Sequence, residues 1–83
     1  MIQILYFASL RERVGTGAEE LALDDSRSVA DVLDRLRARG GVWAEALDPD
    51  QNLLAAVNQD MARPDAPLQD GDELAFFPPV TGG

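Results

Sequence analysis

The 83-residue chain contains no cysteine and no histidine, and all seven of its basic residues are arginine. Without thiols, disulfides, zinc-finger and iron–sulfur ligation and thiol catalysis are excluded; without imidazole, so is histidine-based general base chemistry. Without lysine the chain offers no side-chain amine for acylation, an absence for which genomic base composition is the simplest account. Positive charge is scarce altogether, since fifteen acids against seven bases leave a net charge of −8. Nucleic acid and anionic membranes both need clustered positive charge, so neither is expected as a partner. No apolar run approaches a membrane span, and the opening Met1-Ile2-Gln3-Ile4-Leu5-Tyr6 lacks the basic stretch of a signal peptide. A cytoplasmic location is the expectation.

What is present is enough for one small domain. Apolar residues make up 46% of the chain, too rich for disorder and sufficient for one modest core. Carboxylates are plentiful, which raises a two-carboxylate hydrolase as a possibility. Asp24, Asp25, Asp48, Asp50, Asp70, Asp72 and Glu73, however, stand among Gly, Pro, Asn or Ser, where acids serve turns and caps. They read as solvated turn residues. No nucleophile–base set and no metal site is recognisable.

Ile2 to Ala8 reads as a strand with two apolar faces, Ile2, Ile4 and Tyr6 on one and Leu5 and Phe7 on the other. Arg11 to Arg13 and Gly15-Thr16-Gly17 read as a polar, glycine-marked turn into a second strand, Glu19 to Leu23, completing an antiparallel hairpin. Ser28 caps the one strongly marked helix, with Asp31 in the capping-box position and Val29, Val32, Leu33 and Leu36 as its apolar stripe. Gly40-Gly41 ends it. Val42 to Leu47 predicts a short helical piece closed by Asp48-Pro49-Asp50, with Trp43 as a core or rim aromatic. Leu53 to Asn58 is a third strand, Asn58-Gln59-Asp60 a turn, Met61 the start of another short strand, and Glu73 to Phe77 the last. On that last strand Leu74 and Phe76 share one face, Ala75 and Phe77 the other. The order β-β-α-β-(β)-β predicts an α+β domain, a β-grasp, in which one main helix packs across one face of a mixed sheet. The opposite face would keep Leu5, Phe7 and Phe77, an apolar patch suited to docking.

The sequence closes on Thr81-Gly82-Gly83 directly after Pro78-Pro79. Two glycines lack Cβ atoms and fit a channel too narrow for other residues, so the terminal carboxylate itself reads as the working group. Extended at about 3.3–3.6 Å each, Val80, Thr81, Gly82 and Gly83 reach roughly 13 Å beyond Pro79. The prolines hold the root of that tail extended and lower the entropy lost on insertion. Residues 1–77 are thus expected to form the domain and residues 78–83 an extended tail.

The run Asp70-Gly71-Asp72-Glu73-Leu74-Ala75-Phe76-Phe77-Pro78-Pro79-Val80-Thr81-Gly82-Gly83 resembles the ending of the molybdopterin synthase small subunits, a family of ubiquitin-like sulfur carriers. Leu53-Leu54-Ala55-Ala56-Val57-Asn58-Gln59 and Ile4-Leu5-Tyr6-Phe7-Ala8, followed by Arg11-Glu12, resemble the same family, so the likeness covers the whole chain. The diglycine alone is shared by all ubiquitin-like carriers; Phe76 to Gly83 is far more specific.

The resemblance implies a ubiquitin-like β-grasp and a sulfur-carrier role in molybdenum cofactor biosynthesis. In that family an E1-like activating enzyme uses ATP and magnesium to adenylate the terminal glycine, here Gly83. Sulfur then displaces the adenylate to leave a thiocarboxylate. The tail, Pro78, Pro79, Val80, Thr81 and Gly82 leading to Gly83, inserts into the large subunit of a heterotetramer. There the sulfur passes to cyclic pyranopterin monophosphate to form the molybdopterin dithiolene. The chain itself is expected to bind no cofactor and to act as the non-catalytic, sulfur-donating subunit. Phe7, Met61 and Phe77 are the expected apolar contact to the large subunit, overlapping the activating enzyme's site, with Arg11 in a polar rim. Two alternatives stay open: a sulfur carrier for thiamine thiazole synthesis, and a protein modifier conjugated through Gly83.

Overall fold

The computed structural model describes residues 1–79; Val80, Thr81, Gly82 and Gly83, on which part of the expected site falls, lie outside the described residues. The strands among the described residues are β1 (Ile2–Tyr6), β2 (Ala18–Leu21), β3 (Leu54–Val57), β4 (Asp60–Ala62) and β5 (Glu73–Phe77). Three helices, α1 (Ala8–Val14), α2 (Val29–Arg37) and α3 (Val42–Ala46), and a 3-10 turn at Pro49–Gln51 connect them. The sheet runs β2-β1-β5-β3-β4, so the last strand in sequence is the central one. Only β1 and β5 run parallel; β2 pairs antiparallel with β1, and β3 with both β4 and β5. This is the mixed-sheet α+β arrangement expected.

The alternation along β1 and β5 decides where the core lies. Ile2, Ile4, Tyr6, Leu74 and Phe76 are buried on the inner face, against Val29, Val32, Leu33 and Leu36 of α2 and against Ala46 and Leu47. The start of α2 is fixed by the expected capping box. Ser28 Oγ accepts from the Asp31 amide at 3.3 Å, and Asp31 Oδ2 accepts from the Ser28 amide at 3.2 Å and the Arg27 amide at 2.8 Å. Those donors hold the Asp31 carboxyl below the usual carboxylate range. Arg35 reaches back from α2 to the Ala22 and Leu23 carbonyls, at 2.6 and 3.1 Å, and so ties down the loop after β2.

The opening of the chain departs from expectation. β1 stops at Tyr6, and the segment read as a polar turn begins with helix α1, leaving only Gly15-Thr16-Gly17 as the turn. The helix has its own apolar spacing, Leu10 buried and Val14 half-buried one turn later. Gly15, at φ +81°, ends it in the left-handed conformation with its amide on the Arg11 carbonyl at 3.0 Å. Two apolar positions in a seven-residue segment without a polar N-cap give a faint signal, and Arg11, Glu12 and Arg13 masked it. β1 and β2 therefore pair as expected but are joined through a helix, not through a tight turn. β2 also lies earlier than expected and ends at Leu21, because Leu23 packs on the core from the following loop.

Among the described residues no helix is long and apolar enough to cross a membrane.

Candidate functional site

The outer face of the sheet, opposite α2, carries the candidate site. Register places its side chains in rows. Leu5 lies beside Ala75, Ala75 beside Ala56, and Ala56 beside Met61, an apolar row across β1, β5, β3 and β4. The next row toward the end of β5 sets Leu54 beside Phe77, and Phe7 follows Tyr6 into the same level. The Phe7 amide still donates to the Phe76 carbonyl at 3.2 Å, which carries Phe7 past the last residue of β1. Its ring consequently stacks on Phe77, centroids 4.8 Å apart and planes 7° from parallel. Such pairs contribute about 0.5–1.5 kcal/mol beyond their area.

Covering is incomplete. Ala56 and Ala75 are buried because larger neighbours overhang them, while Phe7 remains 41% exposed and Met61 65% exposed. Small residues between large ones make two shallow grooves that share Met61 and Phe77. One, of about 390 Å³, is lined by Ala8, Leu54, Met61, Phe77, Pro78 and Pro79. The other, of about 330 Å³, includes Leu5, Phe7, Ala56 and Ala75, with Gln59 and Glu73 at its polar edge. The Pro78-Pro79 root of the tail thus starts inside the apolar face. Because β1 and β5 are parallel, the tail leaves from the end of the sheet where Phe7 and Ala8 sit.

Met61 is presented by the β3–β4 hairpin, whose turn residues Asn58 and Gln59 have φ of +51° and +73°. Two consecutive left-handed residues match the twist of the flanking strands. Asn58 also braces the turn against β5, its Oδ1 accepting from the Glu73 amide and its Nδ2 donating to Asp72 Oδ1, each at 3.0 Å.

The structure therefore brings together Phe7, Met61, Phe77, Pro78 and Pro79. Arg11 does not join them. Its side chain lies over Gly17, where an added Cβ would come within 3.0 Å of Nε, and it borders a separate hollow with Glu12, Gly15 and Thr16. That hollow touches the apolar face only through Ala8. Leu54 was missed in the sequence, although the alternation of β3 against Leu53, which packs on the core, marks it as outward. Ala75 shared the outward face with Phe77 by alternation, whereas Ala8 and Ala56 carried no signal, since alanine suits either face. Gly82, Gly83, Val80 and Thr81 lie outside the described residues.

The charged chemistry lies elsewhere, at the rim of the inner face. Glu19 accepts from the Tyr6 hydroxyl at 2.9 Å and from both terminal nitrogens of Arg39, at 2.7 and 3.0 Å. Arg39 in turn lies 4.4 Å over the Trp43 ring, and Trp43 meets Tyr6 edge-on at 5.5 Å. The Arg39 hydrogen bonds pull the Glu19 carboxyl below its usual range, while burial pushes the Tyr6 hydroxyl far above its own. Trp43 is thus a rim aromatic under an ion pair. Among the described residues, no three acidic side chains converge as metal ligands would.

The ThiS family model matches residues 4–83. This chain belongs to the ThiS family. It is 53% identical over 83 residues to the molybdopterin synthase sulfur carrier subunit of Escherichia coli, covering 100% of both chains. The whole-chain likeness read from residues 4–8, 11–12, 53–59 and 70–83 is thus borne out over the full length. Among solved structures, the small archaeal modifier protein 1 of Haloferax volcanii shares the fold with a TM-score of 0.74 at 28% identity, over 95% of this chain and 97% of that one. A protein–protein complex of subunits 1 and 2 of the molybdopterin-converting factor from Helicobacter pylori contains a similar chain. That match has a TM-score of 0.65 at 18% identity, covers 99% and 97% of the two chains, and speaks to the fold alone.

Proposed function

We propose that the protein is the sulfur carrier subunit of a molybdopterin synthase, acting in the cytoplasm. The observation that carries this reading is the full-length, 53% identity to a carrier of that name. A carboxylate is a poor acyl donor because its oxygen is a poor leaving group. In the first step the Gly83 carboxylate attacks the α-phosphorus of ATP on an E1-like enzyme, with magnesium on the phosphates, giving the acyl adenylate and pyrophosphate. A sulfur nucleophile then displaces AMP and leaves the thiocarboxylate. The exchange is split into two easier steps, as covalent catalysis generally does. Because the sulfur rides on the main chain, a carrier without cysteine suffices.

The large subunit of the synthase covers the outer face, with Phe7, Met61 and Phe77 as contacts and Pro78-Pro79 aiming Val80, Thr81 and Gly82 inward. Sulfur then passes from Gly83 to cyclic pyranopterin monophosphate in the large subunit's active site. Two large subunits with one carrier each complete a heterotetramer. What supports this assignment of the face is the continuity of the apolar grooves with the tail root. Arg11, beyond Ala8, serves the polar rim.

The test is the intact mass of the protein purified from cells that hold its own activating system, beside a Gly83-deleted control. One oxygen exchanged for sulfur, absent in the control, is the expected result; an unmodified mass despite a competent enzyme, ATP and sulfur donor overturns it. Adding large subunit and pterin precursor separates this pathway from thiazole synthesis. A residue appended after Gly83 is expected to abolish thiocarboxylation with the fold intact, and full thiocarboxylation of that variant refutes the role of the terminus.

A further inference from the structure

With no cysteine in the chain, its two methionines are its only sulfur-bearing side chains. They stand in different places. Met1 is at the far end of the sheet, where its amino group pairs with Asp70 and its carbonyl accepts from the Gly71 amide at 2.8 Å. Met61 stands on the outward side of edge strand β4, opposite Ala56, and borders both apolar grooves together with Phe77. At 65% exposure it is the most exposed of the large apolar side chains among the described residues, so a small oxidant reaches its thioether whenever the face is uncovered.

We propose that Met61 is an oxidative modification site that switches the outer face off. The proposal rests on reading that face as the surface for the large subunit. The oxidant is a peroxide. The sulfur lone pair attacks one peroxide oxygen, the O–O bond breaks as the S–O bond forms, and the leaving hydroxide takes the remaining proton as water. Sulfur is oxidised by two electrons and the peroxide reduced by two. The product replaces a flexible apolar side chain by a strongly polar S=O group. None of Ala8, Leu54, Phe77, Pro78 and Pro79, which share the larger groove, has a side-chain donor to meet it, and in the other groove Gln59, at the polar edge, is the one lining side chain with an N–H. Docking that turns the S=O group into the larger groove would bury its oxygen away from Gln59, a loss of roughly ten- to a hundredfold in affinity. Conversely, a docked partner shields Met61, so the undocked carrier is the state that oxidation marks.

The experiment treats the full-length protein with hydrogen peroxide, locates added oxygen by peptide mass mapping, and titrates large subunit calorimetrically with treated and untreated protein. Met61→Leu is carried through the same treatment. Oxidised protein is expected to stay folded by circular dichroism and bind roughly ten- to a hundredfold more weakly. Methionine sulfoxide reductases restore the affinity. Met61→Leu, whatever its own affinity, shows no change with peroxide although its Met1 is oxidised. Equal affinity of oxidised and untreated protein overturns the switch alone, as does weakened binding that is matched by unfolding or shared by Met61→Leu. Failure of the untreated protein to bind overturns the docking reading and the switch with it.

Discussion

Two aromatic pairs sit one residue apart, along β5 and across the end of β1, and meet opposite fates. Tyr6 and Phe76, with centroids 6.3 Å apart, are fully enclosed between the sheet and its helices. Phe7 and Phe77, 4.8 Å apart, face outward and stay partly open. The chemistry of the pairs is nearly the same; what differs is whether the chain itself supplies the covering. Inside, α2 and α3 do so, and the burial stabilises the fold. Outside, the chain leaves the covering unmade and adds a rigid proline pair at the margin. Burying one such large apolar side chain is worth about 1.5–3 kcal/mol, which on the outer face is available only to an association. One strand therefore divides its apolar residues by parity between the core and the proposed docking face.

Neighbouring substitutions break the comparison most sharply. Phe76→Ala leaves a cavity at the centre of the inner face and is expected to cost about 3–5 kcal/mol, read as a large drop in the urea midpoint. A loss below about 1 kcal/mol shows that the inner pair is not the keystone of the core. Phe77→Asp, next in effect, is expected to leave the urea midpoint close to that of the parent. It should weaken binding to the large subunit by about 2 kcal/mol or more, roughly thirtyfold, by calorimetry. Unchanged affinity returns Phe77 to a merely structural role. A milder probe is Leu54→Ala, expected to reduce affinity by less than Phe77→Asp, since a rim truncation only deepens the groove. If Leu54→Ala is the more damaging in calorimetry, the contact centres on β3 and not on the aromatic pair.

The parity itself was legible in the sequence, because a side-chain period of two needs only the identities of residues 2–7 and 73–77. So was α2, where the Ser28–Asp31 box and a four-residue stripe agree. Phe7, Met61 and Phe77 could be grouped in advance because alternation assigns faces without any tertiary contact. Helix α1 was hidden, since Leu10 and Val14 alone do not distinguish a helical turn from a loop with two anchored residues. The direction of Arg11 was hidden for the same reason: it depends on α1, which lays the side chain over Gly17, on the far side of Ala8 from the aromatic pair. The Glu19–Arg39–Trp43 assembly was equally out of reach. It joins β2 to the segment between α2 and α3, twenty residues further on, and only the packed fold sets that distance.

That assembly supplies the smallest effect that still separates the two faces, and it is one of pH. The Glu19 carboxyl is held below its ordinary value near 4.5, first by the Arg39 hydrogen bonds. A depressed folded value means the charged form is favoured by folding. Its contribution to stability is therefore complete above the ordinary value and lost as pH falls through the lower, folded one. Arg39 stays charged throughout that window, and Tyr6, shifted upward, keeps its proton and goes on donating. Glu19→Gln should thus be less stable than the parent by a constant amount from neutral pH down to about pH 5, and the gap should narrow below about pH 4. Because the pair is partly solvated, the gap is small. Thermal unfolding of both proteins across that range measures it. A gap that stays constant into acid means that Glu19 contributes by shape alone, and the rim of the inner face would then be held by the Trp43 and Tyr6 rings without help from charge.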